Sequence, residues 1–185
     1  FPLINSNQNQ FGDHSDRWIF PESKHTTSEL TFGDSARIGV VGGGPAGSFF
    51  SFFFLNMVQH IGMDVRLDII ERRDFSTPGP SGCNMCGGII SESLVQALAV
   101  EGINLPPSVV ERGIDSYVMH LDEGKVRINP PGREKRIAAV HRGAGPRGIK
   151  EMKWKSFDGY LLDLAKNKGA NVVRDTVDAI TLVNG

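Results

Sequence analysis

Three glycines, Gly42, Gly44 and Gly47, form the pattern G-x-G-x-x-G, whose spacing indicates phosphate chemistry. In this pattern the first glycine permits a tight turn, the second lets a pyrophosphate approach the backbone, and the third lets a helix pack closely on a strand. Free N–H groups and the positive end of the helix dipole then bind the phosphates. The sequence therefore predicts a dinucleotide-phosphate site at Gly42, Gly44, Pro45, Ala46 and Gly47.

The sequence around these glycines predicts a strand, a helix and a second strand in succession. Residues 37–41, RIGVV, form an apolar run before the turn, and residues 66–70, RLDII, form another. Between them, apolar residues recur at helical spacing as far as Gly62, which is suited to ending a helix. The predicted buried face comprises Ala46, Phe49, Phe50, Phe53, Phe54, Met57, Val58 and Ile61, widened by Phe52 and Leu55. This register predicts that the phenylalanine cluster lies in the core of a βαβ unit.

An acidic residue at the end of the second strand completes the dinucleotide pattern. Glu71 stands near the usual spacing of about 20 residues after the glycines, where a carboxylate accepts hydrogen bonds from the adenosine ribose. A carboxylate would repel a 2′-phosphate, so Glu71 favours a free 2′-hydroxyl. The adjacent Arg72 and Arg73 leave the 2′-phosphate open as an alternative, and Arg72 is a candidate cofactor contact. Ser48 stands where phosphate-binding loops of triphosphatases require lysine, which argues against an ATPase or GTPase.

The remaining elements depart from a simple alternation of strands and helices. A loop rich in Gly, Pro and Ser covers residues 76–88, and a helix is predicted from Ser91 to Glu101. The further predicted elements are a hairpin turning at residues 122–124, a third antiparallel strand at 136–140, a helix between Ser156 and Gly169, and strands at 171–175 and 178–184. We therefore predict an α/β fold over residues 35–185, with residues 76–155 inserted as a loop, helix and hairpin region. Residues 1–34 show neither helical nor strand periodicity and are predicted to be an N-terminal extension, disordered or packed.

Composition bounds the classes of function. The chain has 185 residues, enough for one domain or a piece of one. Its 20 Lys and Arg against 21 Asp and Glu give a net charge of -1, which argues against a general nucleic-acid binder. The sequence lacks an apolar run of membrane-spanning length and a signal-peptide pattern at its start, so a cytoplasmic location is expected. The chain begins at Phe1 rather than Met, and we expect it to be a piece of a longer protein.

Four segments carry a resemblance to a known family. They are GVVGGGPAGS, DIIERRDF, SGCNMCGGIISESLVQAL and SFDGYLLDLAKNKGANV, and together they resemble the geranylgeranyl reductase group. That group belongs to the para-hydroxybenzoate hydroxylase-like class of FAD enzymes, and the likeness extends from residue 37 to about residue 183. The insertion of about 80 residues after the second strand, where a plain nicotinamide domain would continue into another crossover, also favours a flavin fold. The fold prediction becomes a Rossmann-like FAD-binding βαβ unit with an inserted antiparallel hairpin or meander, and we expect the chain to be an incomplete flavoprotein domain.

The resemblance implies both a cofactor and a reaction. FAD would bind with its ADP half on the glycine turn and its flavin near Gly87 and Gly88, and reduced flavin would deliver hydride to carbon–carbon double bonds of prenyl or other lipid chains. Arg142 is the implied contact to the flavin phosphates, although the family arginine stands closer to the following helix. No Gly-Asp pair follows the glycine turn before Gly185, where the family's second FAD motif would lie, and the family's substrate domain does not occur there either, so this chain alone is not expected to catalyse.

The two cysteines form a C-x-x-C pair with three interpretations. Cys83 and Cys86 suit a redox dithiol, half of a metal site, or thiols lining a flavin pocket. The five histidines show no paired spacing, so no metal site is predicted. The resemblance places Cys86 beside the flavin and the substrate double bond, as the candidate catalytic residue. Packing of a small thiol is the equal alternative.

A basic segment indicates partners. Residues 125–155 carry ten Lys or Arg and two Glu, which suits an electron donor, either NAD(P)H or a ferredoxin-like protein, an anionic lipid head or a substrate pyrophosphate. A solvated hairpin face is the alternative. A small-molecule or lipid substrate and a peripheral membrane contact are thus expected. The alternative functions are a flavin-dependent aromatic monooxygenase or halogenase of the same class, or a non-catalytic nucleotide-binding module.

Overall fold

The computed structural model describes residues 33–77, 88–129, 137–140 and 155–181. They form the strands β1 (Ala36–Val41), β2 (Val65–Ile70), β3 (Ile89–Ile90), β4 (Val110–Ile114), β5 (Tyr117–Leu121), β6 (Gly124–Ile128), β7 (Ile137–Val140) and β8 (Asn171–Val173), and the helices α1 (Pro45–His60), α2 (Glu92–Val100) and α3 (Phe157–Asn167). The fold is mixed α/β, as the sequence predicts at that level. The extension at residues 1–32 and the loop with Cys83, Cys86 and Gly87 lie outside the described residues.

A parallel sheet in the order β1-β2-β8 organises the fold. β1 and β2 pair in parallel from Ala36 opposite Val65 to Val41 opposite Ile70, and β2 pairs in parallel with β8. Helix α1 connects β1 to β2, so the predicted succession of strand, helix and strand is confirmed. Between β2 and β8 the chain makes a long excursion that contains the antiparallel strands and two helices.

The helix ends follow the capping signals in the sequence. Ser91 and Ser156 are the N-caps of α2 and α3, and their hydroxyl oxygens accept hydrogen bonds from the N–H groups of Leu94 and Gly159. Gly62, which follows α1, has φ +70°, a left-handed conformation that glycine adopts without steric cost. The predicted bounds of the three helices are therefore confirmed to within one or two residues.

The buried face of α1 differs from the predicted one. Its buried residues are Ser48, Ser51, Leu55 and Val58, whereas Phe50, Phe53, Met57 and Ile61 from the predicted face are exposed. The prediction that the phenylalanine cluster is core was therefore wrong for Phe50 and Phe53, whereas Phe49 and Phe54 are half-buried and pack against the hydrophobic clusters. Small residues face the sheet because the helix starts close to the backbone of the glycine turn, and both serine hydroxyls donate to backbone carbonyls, which lowers the cost of burying them. The displaced phenylalanines flank this stripe and stack on one another.

One hydrophobic cluster fills the space between the parallel sheet and two helices. Leu67 and Ile69 of β2 point to the same face of the sheet, and both are fully buried. Leu55 and Val58 of α1 join them there, as do Leu162 and Ala165 of α3, Phe75 and Ala170. On the opposite face, Asp68 lies 3.1 Å from Arg66 and 3.8 Å from Arg37. The described part of this sheet thus has one apolar, helix-covered face and one charged face.

A second sheet is antiparallel and has the order β3-β7-β4. The strand predicted at residues 136–140 is present as β7, but it pairs with β3 and β4 and not with the hairpin, so the predicted meander was wrong in its pairing. The strand β4 had no clear period in the sequence. Beneath this sheet a second cluster joins Val109, Val140, Phe157 and Leu161. Helix α3 therefore contributes to both cores.

The hairpin is confirmed and the last predicted strand is not. β5 and β6 pair from Tyr117 opposite Ile128 to Leu121 opposite Gly124, which leaves residues 122–123 as the turn. Residues 171–173 form β8, but residues 178–181 belong to no strand, so that part of the strand prediction was wrong. Alternation in a sequence does not supply a partner strand, and Ile180 is exposed.

Among the described residues, no helix is both long and apolar enough to cross a membrane.

The position of the buried stripe on α1 can be tested with two substitutions that are two residues apart and therefore on opposite faces of the helix. Leu55 is 4% exposed and Met57 is 54% exposed. Leu55→Ala should lower the free energy of unfolding by about 2–5 kcal/mol because it leaves a cavity in the core. Met57→Ala should change it by about 0.5 kcal/mol or less. Urea denaturation with equal m-values measures both, and equal losses would contradict the stripe described above.

Candidate functional site

The glycine turn lies at the carboxyl end of the parallel sheet, between β1 and α1. The N–H of Gly42 donates to the carbonyl of Ile70 at 2.9 Å, so the turn begins as a continuation of the ladder between β1 and β2. Gly42 has φ +99°, which allows the chain to reverse towards the helix. The first hydrogen bond of the helix, from the Ser48 N–H to the Gly44 carbonyl, closes the turn at 2.9 Å.

The glycines of the turn have different surroundings. A Cβ on Gly47 would stand far inside van der Waals contact of the Gly42 carbonyl oxygen, and within 3.2 Å of Val40. A Cβ on Gly44 would meet no atom within 4 Å, and the φ of Gly44 is an ordinary -69°. Gly47 is therefore required for packing of helix on strand, whereas the absence of a side chain at Gly44 leaves an open approach to the backbone.

Gly43, which the pattern treats as a free position, is held on both sides. Its N–H donates to Oε2 of Glu71 at 2.8 Å, and its carbonyl accepts from Oγ of Ser48 at 2.8 Å. A Cβ on Gly43 would lie 2.9 Å from Cβ of Glu71 and 3.1 Å from Leu162. These contacts leave room only for glycine, and they fix the path of the backbone next to Gly44.

Glu71 connects the end of β2 to the glycine turn. Its side chain is buried, with Oε2 bonded to Gly43 and Oε1 accepting from the N–H of Arg73 at 2.8 Å. Its own N–H donates to the Val173 carbonyl at 3.0 Å and extends the ladder towards β8. An ionised carboxylate has about four lone-pair sites, so each oxygen retains acceptor capacity for another donor. The arrangement can therefore orient a hydroxyl donor beside the turn.

A cavity of about 250 Å³ adjoins the turn and Glu71. It lies at the carboxyl ends of β1 and β2, and the segment that follows β8 forms its other wall. The lining residues are Val41, Gly42, Ile70, Glu71, Arg72, Arg73, Asp175, Thr176 and Val177. Crevices outside the carboxyl ends of parallel strands are the usual ligand sites of open α/β sheets.

The first turn of α1 offers donors without competing acceptors. It contains no acidic residue, and Gly44 at its N-cap provides no side-chain cap. Pro45 has no N–H, so the N–H groups of Ala46 and Gly47 are the donors that a helix start leaves unsatisfied. By contrast, α2 and α3 each have a serine cap and an acidic residue in the first turn. An anion at α1 would meet the positive end of the dipole without carboxylate repulsion.

A larger cavity, of about 390 Å³, lies near Asp74 and the start of α3. Hydrogen bonds from the Ser76 hydroxyl and then its N–H hold the pKa of Asp74 below its ordinary value, and Arg174 lies 3.9 Å from the same carboxylate. Burial raises the pKa of Tyr160, which donates to the Asn104 carbonyl at 2.7 Å. The residues that line this cavity carry charges of both signs, Asp74 and Asp163 against Lys155 and Arg174, so the cavity has no preference for an anion.

The structure brings together part of the predicted site. Gly42, Gly44 and Gly47 lie in one turn with Pro45 and Ala46, Glu71 contacts that turn, and Arg72 lines the cavity beside it. Gly88 is buried before β3 with φ +69°, and its carbonyl accepts from Val140 at 2.6 Å. Cys86, Gly87 and Arg142 lie outside the described residues and stay predictions.

Sequence reasoning missed Gly43 and Ser48. A run of three glycines, one more than the pattern needs, was a signal for Gly43. Nothing in the sequence distinguished Ser48 from a surface serine.

Neither a scan against protein-family models nor a search of curated proteins finds a match to this chain.

The different surroundings of Gly47 and Gly44 predict different effects on stability. Gly47→Ala should lower the free energy of unfolding by about 1–3 kcal/mol, because its Cβ forces the start of α1 away from Gly42. Gly44→Ala should cost about 1 kcal/mol or less, the loss expected from an alanine N-cap. Thermal denaturation of the two variants measures the difference. A Gly44→Ala loss that equals or exceeds the Gly47→Ala loss would contradict the open approach at Gly44.

Proposed function

We propose that the glycine turn binds the ADP half of FAD, and that the chain carries the nucleotide-binding part of an FAD-dependent oxidoreductase. The observation that carries this proposal is the open approach to Gly44, with the buried carboxylate of Glu71 bonded to the neighbouring residue. A pyrophosphate needs close approach to backbone N–H groups, and a ribose needs an acceptor for its hydroxyls. The turn offers both, with backbone N–H groups between Gly44 and Gly47 and the side-chain carboxylate of Glu71.

The phosphates would be bound by the backbone and not by a cationic side chain. The donors are the N–H groups of Gly44, Ala46 and Gly47, aided by the dipole of the 16-residue helix α1. Ser48 occupies the position where triphosphatases use lysine, so the site suits a diphosphate bridge more than a terminal triphosphate. The residues present therefore fit the pyrophosphate of a dinucleotide.

Adenosine would occupy the adjoining cavity. The free acceptor capacity of Glu71 suits the ribose hydroxyls, and its charge disfavours a 2′-phosphate. Ile70, Val41 and Val177 supply apolar contacts for an adenine ring, and Arg72 supplies a guanidinium that can stack on it. This assignment favours FAD or NAD over NADP.

The resemblance to geranylgeranyl reductases supports FAD among these and suggests the reaction. When bound and reduced, the flavin supplies a hydride to one carbon of an isolated alkene, and a proton adds to the other. The substrate proposed is a prenyl or other lipid chain, and the electron donor is NAD(P)H or a ferredoxin-like protein. The role of this chain's described residues is to bind and orient the adenosine end of the cofactor.

Substitution at Gly44 tests the nucleotide site. Gly44→Val should abolish binding of ADP and FAD while the chain stays folded, because the added side chain fills the approach to the pyrophosphate. Calorimetric titration with ADP and fluorescence titration with FAD measure binding. Gly113→Val is the matched control, since a Cβ on Gly113 also meets open space and this residue lies in β4, outside the turn.

Three results separate the alternatives in this experiment. An unmodified chain that binds neither ADP nor FAD would contradict the proposal. Tight binding of ADP with no change in flavin fluorescence would favour a nucleotide-binding module. If NADP bound more tightly than NAD, Glu71 would not be the residue that meets the ribose.

Removal of the Glu71 carboxylate should weaken the nucleotide. Glu71→Ala should reduce ADP affinity by about 1.5–3 kcal/mol, the range for hydrogen bonds to a charged group. Asp68→Ala is the matched control, because Asp68 lies three residues earlier, on β2, with its charge paired to arginines on the opposite face of the sheet. The unmodified chain should also prefer ADP to 2′,3′-dideoxy-ADP, and Glu71→Ala should lose that preference. Equal binding of both ligands by the unmodified chain would contradict a ribose contact.

A further inference from the structure

We propose that Ser48 is a positioning residue that aims the N–H of Gly44 at the pyrophosphate. This inference rests on the nucleotide site proposed above and assigns a role to a residue that does not itself touch the ligand. Ser48 is fully buried in the first turns of α1, and its Oγ donates to the carbonyl of Gly43 at 2.8 Å. This hydrogen bond connects a residue inside α1 to a residue before the helix begins, and it restrains the glycine turn.

The direction of the Gly44 N–H follows from the planarity of the peptide bond. The carbonyl of Gly43 and the N–H of Gly44 belong to one peptide unit, and the described chain contains no cis peptide. In a trans unit the carbonyl and the N–H point in opposite directions. Because Ser48 holds the carbonyl against the helix, the N–H must point away from it. Among the described residues no acceptor is bonded to this N–H, and the space beside Gly44 is open.

A peptide between two glycines needs such a restraint. Neither Gly43 nor Gly44 has a Cβ, so this unit can rotate between orientations that other residues would forbid. The preceding unit is already fixed, since Glu71 accepts its N–H and Gly47 packs against its carbonyl oxygen. The bond from Ser48 removes the remaining freedom. A donor held in its binding orientation before the ligand arrives costs less to order on binding.

Ser51 provides an internal comparison. It lies one turn further along α1, is also fully buried, and its Oγ donates to the Gly47 carbonyl at 2.7 Å. That acceptor is four residues earlier in the same helix, where the backbone is already fixed by helical hydrogen bonds. The two serines therefore share burial and bond type, and they differ in whether the acceptor carbonyl lies inside α1, as for Gly47, or before the helix begins, as for Gly43.

The test compares ADP binding by Ser48→Ala and Ser51→Ala in the full chain. Both variants should lose thermal stability, since each deletes a buried hydrogen bond. Measured by calorimetry well below either melting temperature, ADP affinity should fall about 5-fold to 10-fold in Ser48→Ala, as expected for one hydrogen bond, and should be unchanged in Ser51→Ala. A second readout needs no ligand. The amide resonance of Gly44 in a ¹⁵N–¹H spectrum should shift or broaden in Ser48→Ala and remain in place in Ser51→Ala.

Cysteine variants keep the test decisive if an alanine variant does not fold. Ser48→Cys fills the same space with a weaker donor and should give a smaller loss of ADP affinity than Ser48→Ala, whereas Ser51→Cys should give none. Suppose that the unmodified chain binds ADP, and that the Ser48 variants do not differ from the Ser51 variants in ADP affinity or in the Gly44 resonance. The positioning role is then overturned and the nucleotide site stands. If the unmodified chain does not bind ADP, the proposed function is overturned and this inference with it.

Discussion

The close approach of α1 to the end of β1 is the constraint on which the rest of the structure depends. The Gly42 carbonyl oxygen occupies the space where any side chain at residue 47 would stand. This contact brings the helix start to the carboxyl end of the sheet, and it requires small residues along the first turns of the face that meets the strands. Ser48 and Ser51 occupy that face, and leucine and valine follow only where the helix is further from the turn. The turn, the buried stripe and the exposed phenylalanines are thus consequences of one packing contact.

Sequence reasoning succeeded where the signal is local. Turn and cap residues determine where α2, α3 and the hairpin begin and end, and Gly62 and Ser156 act on the backbone beside them. It failed where the outcome depends on a distant partner. The apolar side chains of α1 suggest a phenylalanine face because hydrophobicity alone ranks phenylalanine above serine, whereas burial is decided by space against the sheet and by a carbonyl for each hydroxyl. The pairing of β7 with β3 and β4 is likewise a choice between strands that alternation cannot make.

The same distinction applies to the candidate site. Gly42, Gly44, Gly47 and Glu71 were identifiable because each is required by a rule that operates on sequence spacing. Gly43 and Ser48 were not, because their importance depends on the hydrogen bonds that meet at one peptide group. A pattern of glycines records where side chains must be absent, and it contains no information about which side chains hold the resulting backbone in place.

The register of the sheet finally determines which side chain reaches the turn. Leu67, Ile69 and Glu71 are alternate residues, and the ladder continues through the N–H of Glu71, so all three side chains point to the face that the helices cover. Burial of Leu67 and Ile69 in the core therefore determines the direction in which the Glu71 side chain points. If β2 slipped by one residue against β1, the apolar residues would turn to the charged face and Arg72 or Ile70 would stand where the carboxylate is. The hydrophobic core and the acceptor beside the glycine turn are thus consequences of one alignment of strands, which links the stability of this fold to the chemistry of its site.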